Sequence, residues 1–109
     1  MRLCQWIVVC LCVASASAVA SERQEQGREV YVASCARCHE HGAEGAPVTG
    51  TAGDWGERSQ LWDAVLAEHA RDGYLGMPAR GGDDVLTEDQ VRAATEYIMA
   101  RTFPHLPLD

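Results

Sequence analysis

Cys35-Ala36-Arg37-Cys38-His39 sets two thiols and an imidazole within five consecutive residues. Thiols three positions apart lie along one edge of a single turn, so both can add across the vinyl groups of one porphyrin as thioethers. The adjoining imidazole can then offer its Nε2 to iron. Three other chemistries share part of this pattern. A redox dithiol also uses two cysteines at this spacing, but it calls for a preceding strand and a mixed sheet, and strand signals are few here. A zinc site needs four ligands, and outside the first twenty residues the chain offers only these two cysteines with His39, His41, His69 and His105. A disulfide between residues this close would restrain the unfolded chain very little. Covalent haem attachment is favoured over all three because it uses both thiols and the histidine together.

A second group that could reach iron is the thioether in Gly76-Met77-Pro78. Pro78 biases Met77 toward extended backbone and Gly76 lets the chain pass close to a bulky group, so the sulfur would project from a stiff loop as an axial ligand should. His69 is a weaker candidate for the same position. Met99 lies on a regular helical pattern and His105 in a proline-bounded tail. A backbone carbonyl near Pro47 could accept the Nδ1 proton of His39 and fix the ring as a neutral Nε2 ligand; the alternative is an ordinary turn proline. The indole of Trp55 and the guanidinium of Arg58 could donate to a haem propionate, or could simply pack.

Elements to hold these groups can be read on either side of them. Gly27, Val30, Tyr31 and Ser34 recur at helical spacing and predict a first helix over residues 22–34. Glu40 to Gly56 carries five glycines and one proline without periodicity, a loop that must follow the edge of the bound group. Gly53-Asp54-Trp55 predicts a short helical turn. Ser59 is a candidate cap for a second helix from about Gln60 to Asp72, closed by Gly73. Arg80 to Asp84 reads as a flexible turn. Thr87 and Gln90 form a capping box, with Leu86 and Val91 as a hydrophobic staple, so a last helix should run from Glu88 to about Arg101. Its apolar face is Val91, Ala94, Tyr97 and Ile98, and small Ala94 suits a close crossing with the Gly27/Tyr31 face.

The first twenty residues read as an export signal. Arg2 supplies the positive end, Ile7 to Val13 an apolar run too short to span a bilayer, and Ala18-Val19-Ala20 a cleavage site after about Ala20. Cys4, Cys10 and Cys12 fall inside it. The expected organisation is therefore a signal peptide, 1–20, and one domain, 21–109, in the periplasm or an equivalent space, with no membrane span. About 90 residues is a size at which a bound group commonly completes the core. The whole sequence carries 9 basic and 16 acidic residues, and removal of Arg2 with the signal leaves 8 against 16, or −8. All the basic residues are arginines. That balance repels phosphate backbones and excludes a nucleic-acid partner, while it would steer the chain toward a basic protein.

Taken together these residues resemble the class I c-type cytochromes, and among them the small cytochrome c₅-like group. The features are Gly27 and Tyr31 ahead of the Cys35–His39 motif, the Gly45 to Pro47 turn, Trp55, Gly76-Met77-Pro78, the Gly81-Gly82 turn and Tyr97. The resemblance implies an all-α fold, three main helices plus loops wrapped around one covalent haem c, with the terminal helices crossing beside it. It implies His39 and Met77 on opposite faces of iron and the Pro47 carbonyl bonded to His39. It also implies a one-electron carrier, not an enzyme, that meets redox protein partners transiently. The alternative function is a haem sensor or catalytic haem subunit with a displaceable sixth ligand. Where cytochromes c₅ often have a second cysteine pair, this chain has Asp83 and Asp84.

Overall fold

The computed structural model describes residues 18–56 and 63–105. Secondary structure there is helical throughout apart from one isolated bridge, Tyr74 to Met77, so the expected all-α class holds. The proposed signal peptide up to residue 17, together with Arg58, Ser59 and the start of the second predicted helix, lies outside the described residues.

Helix α1 comprises residues 18–30, which are α-helical, a π segment at Tyr31–Cys35 and a last α turn at Ala36–His39. Ala, Glu, Gln and Arg, all good helix formers, fill most of its exposed positions, with Val19 and Val32 also exposed. It continues beyond the predicted end at residue 34 because the Ala36 N–H reaches back to the Tyr31 carbonyl, widening the helix by one residue without breaking it. That extra residue turns the following face by about 100°. Tyr31 and Ser34 are buried, and Ser34 lines the same cavity as Cys35, Cys38 and His39.

Helix α2, Asp63–Asp72, packs against helix α3, Glu88–Thr102. The capping box is present in both directions: Gln90 N–H donates to Thr87 Oγ1 at 3.1 Å and Thr87 N–H to Gln90 Oε1 at 2.8 Å. α3 crosses α1 at Gly27, where a Cβ would stand 2.3 Å from the Ala93 carbonyl oxygen. The small residue at the crossing is thus Ala93. Ala94, expected there from the sequence, faces the cavity described below. The core beneath consists of Tyr31, Trp55, Leu66, Ile98 and Met99, with Tyr97 and Phe103 at its margin. The Tyr31 and Tyr97 rings meet at 5.2 Å, and the Arg101 guanidinium lies over both.

The connections are pinned as firmly as the helices. Thr102 Oγ1 accepts from the Gly50 N–H at 3.0 Å, tying the end of α3 to the loop after His39. The stretch Arg80 to Asp84, read from the sequence as a flexible turn, overlaps the 3₁₀ turn Ala79–Gly82 and is held at three points. A Cβ on Gly81 would lie 2.7 Å from the Ser34 carbonyl oxygen, Arg37 donates to the Gly81 carbonyl, and Ser34 donates to Asp83 at 2.9 Å.

Candidate functional site

The end of α1, the loop after it, Trp55, α2, the Met77 turn and α3 together surround a cavity of about 200 Å³. Its walls are mainly apolar side chains, among them Val30, Leu66, Val91 and Ile98 from the helices and Leu86 from the segment just before α3. Cys35, Cys38, His39 and Met77 all line it, so Met77 and a motif 38 or more residues before it in sequence are brought to one space.

His39 is 8% exposed and fixed on three sides. Its Nδ1 lies 2.9 Å from the Pro47 carbonyl oxygen, a pure acceptor, which requires the proton on Nδ1 and leaves a lone pair on Nε2. Its own carbonyl accepts from the Thr49 N–H at 2.8 Å. The Trp55 ring stacks beside it at 5.8 Å, and the indole N–H donates to the Val48 carbonyl at 2.9 Å. Asp54, in the 3₁₀ turn Ala52–Trp55 predicted from the sequence, accepts from the Val48 N–H at 3.1 Å. Four successive residues, Pro47 to Gly50, are thus each bonded to a neighbour that orients the imidazole or closes the loop behind it.

Cys35 and Cys38 are half-buried free thiols. Burial pushes the Cys35 thiol up to about 11, and the charges of Asp83 and Cys38 add to it. A thiol held protonated in this way is the opposite of the activated thiolate a redox dithiol needs. Among the described residues no three His, Cys, Asp or Glu side chains converge as metal ligands, which disfavours the zinc reading too. The thiols, the lone pair on Nε2 and the apolar walls fit a covalently held haem.

Met77 is half-buried on a tight turn, in which Tyr74 and Met77 exchange backbone hydrogen bonds of 3.0 and 2.9 Å. Gly73, at φ +88°, reverses the chain after α2 where a Cβ would press on Ala79 N and the Met77 carbonyl. The ring of His69, the competing ligand, also lines the cavity but lies flat on Tyr74, with centroids 3.8 Å apart and planes 2° apart. Met99 is buried on α3 beside the same space, and His105 is exposed beyond α3. Arg80 was not singled out from the sequence. It lines the cavity, and its Nε is buried. Nothing distinguishes it in the sequence from a solvated loop arginine, and only the pinned turn reveals where it points.

The family described as cytochrome C oxidase, cbb3-type, subunit III, matches residues 22–98. The chain is similar to a cytochrome c-555 of Prosthecochloris aestuarii, 42% identical over 81 residues that cover 67% of this chain and 82% of the relative. A cytochrome c-555 of Chlorobaculum tepidum is 38% identical over 80 residues, covering 70% and 74%. Among solved structures, a crystal structure of an electron transfer complex of nitrite reductase with cytochrome c contains a chain 30% identical to this one. That match has a TM-score of 0.66 and covers 71% of this chain and 94% of the other. The chain belongs to the class I c-type cytochromes matched by this family. Within them it is a small monohaem member related to the cytochromes c-555, an electron carrier and not an enzyme. Membership implies a covalently bound haem c. Among the described residues no helix is long and apolar enough to cross a membrane.

Proposed function

We propose that this chain is an exported one-electron carrier, periplasmic in location, whose single haem c is joined through thioethers to Cys35 and Cys38 and held axially by His39 and Met77. The observation that carries the reading is the bond from His39 Nδ1 to the Pro47 carbonyl. It fixes tautomer and ring orientation together, as a permanent ligand requires. A haem iron with two axial ligands supplies reversible one-electron chemistry, and a thioether ligand favours the reduced state relative to a second imidazole. The residues of the chain keep that chemistry narrow. Pro47 and Trp55 hold the imidazole, the Tyr74–Met77 turn holds the sulfur, and the apolar walls exclude water. A site kept rigid on both sides reorganises little when its charge changes.

Trp55 would contribute through its ring face, since its N–H is bonded to Val48; Arg58, outside the described residues, remains the proposed propionate donor. The partner we propose is a larger redox protein with a basic docking face, met briefly. The related cytochrome in an electron transfer complex with nitrite reductase supports an encounter of this general kind.

Met77→Ala is the direct test. The oxidised protein should show a weak near-infrared sulfur-to-iron band that the substitution abolishes, and the variant should bind added imidazole or cyanide more readily. An unchanged band would refute Met77 as ligand. A band absent from the unsubstituted protein would favour the sensor or catalytic alternative, with an open or displaceable sixth position.

A further inference from the structure

We propose that Arg80 sets the reduction potential of this centre, its partly buried guanidinium acting on the cavity as a fixed positive charge. The proposal rests on the reading of the cavity as a haem site. Arg80 lines the cavity, and its Nε, wholly buried, finds no acceptor among the described residues. An arginine in a surface turn ordinarily extends into water, whereas this one leaves an N–H where water does not reach. The backbone keeps it there. Arg80 sits at φ +56°, a conformation unfavourable for any residue with a Cβ, and the next residue is clamped against the Ser34 carbonyl and bonded by Arg37.

Guanidinium cannot shed its proton in a protein, so the charge persists. Reduction makes the centre one unit more negative, and a neighbouring cation favours that state. At a partly buried position the attraction is screened less than at the surface. Two carboxylates act in the opposite sense. Asp72 is exposed and already held by Arg71, with Arg80 a lesser influence on it. Asp83, whose charge reaches Cys35, accepts a hydrogen bond from Ser34. Neither bonds the Arg80 Nε–H.

The test is the midpoint potential of the purified haem-loaded protein, followed by absorption in both redox states. Arg80→Gln should shift the balance at fixed ambient potential about tenfold toward the oxidised form, a fall of about 59 mV for one electron. Arg80→Lys should retain most of the original potential. Arg92→Gln, which removes the same charge from an exposed position on α3, should change the ratio less than twofold. The near-infrared band should survive in Arg80→Gln, which separates a charge effect from loss of the sulfur. If that band is lost, Arg80→Met against Arg80→Lys provides the same contrast. A shift in Arg80→Gln no larger than in Arg92→Gln, or an equal fall in Arg80→Lys, overturns the proposal. Failure of the haem reading itself would be visible earlier, as a protein without covalent haem before any substitution.

Discussion

At the scale of the residue, two polar anchors bracket the helix crossing. One is His39 with its Pro47 partner. The other is Tyr31, 1% exposed, whose hydroxyl donates to Glu40 while Arg101 pairs with the same carboxylate. Burial, and next the Glu40 bond, push the Tyr31 hydroxyl up to about 12 from an ordinary value of 10.0. Through that window the unfolded chain gives up its proton while the folded chain keeps it, so stability must fall as pH rises from about 10 to about 12. The loss should be on the order of 2 kcal/mol. Glu40 works the other way. The Tyr31 hydroxyl first, and Arg101 second, hold its carboxyl below the usual range, so its contribution is present above that range and disappears in acid. Denaturant titrations of Tyr31→Phe and the unsubstituted protein on either side of the alkaline window check this. The substitution should flatten the decline, and an identical slope in both proteins would be the contrary result.

At the scale of the element, α1 and α3 were readable because their signals are local. The Thr87/Gln90 box fixes where α3 begins, and the spacing of Gly27 and Tyr31 marks the face that meets it. What could not be read was the phase of the crossing. A π segment at Tyr31–Cys35 adds one residue to a turn, and no propensity in Tyr-Val-Ala-Ser-Cys signals it. The crossing itself, upstream at Gly27, falls on Ala93 and leaves Ala94 to the cavity, a choice between neighbouring alanines that local sequence does not mark. The Arg80–Asp84 stretch looked mobile for a related reason: its glycines are required by contacts with Ser34 and Arg37, some 44 residues away, which local sequence cannot reveal. Gly27 tests the crossing. Gly27→Ala improves helix propensity by about 1 kcal/mol. It also drives a Cβ to 2.3 Å from a backbone oxygen that cannot swing aside. Overpacking of this kind costs about 1–3 kcal/mol, so urea unfolding should show a net loss, larger still for Gly27→Val. A stabilised Gly27→Ala protein would mean the helices do not approach as described.

At the scale of the whole molecule, charge and the cavity decide what the chain can meet and what it must contain. The sequence has 16 acids against 9 arginines. Electron exchange with a basic partner should therefore slow steadily as salt is added, while exchange with a small neutral reagent should not. Stopped-flow rates across a range of ionic strength test this, and a salt-independent rate with the protein partner would remove the steering argument. The Cys35–His39 motif was legible because its two thiols and imidazole stand within five adjacent residues. The sulfur was legible because glycine and proline flank it, and the shielded arginine was not because its setting is assembled from distant segments. Both thiols, the oriented imidazole and the sulfur converge on one apolar space lined by all three helices. The most direct measurement is the mass of the purified polypeptide under denaturing conditions, with the thiols challenged by an alkylating agent. The expected result is one haem added to the chain and no alkylation at Cys35 or Cys38. A bare polypeptide whose two thiols both react would contradict the covalent centre on which the fold and the carrier function depend.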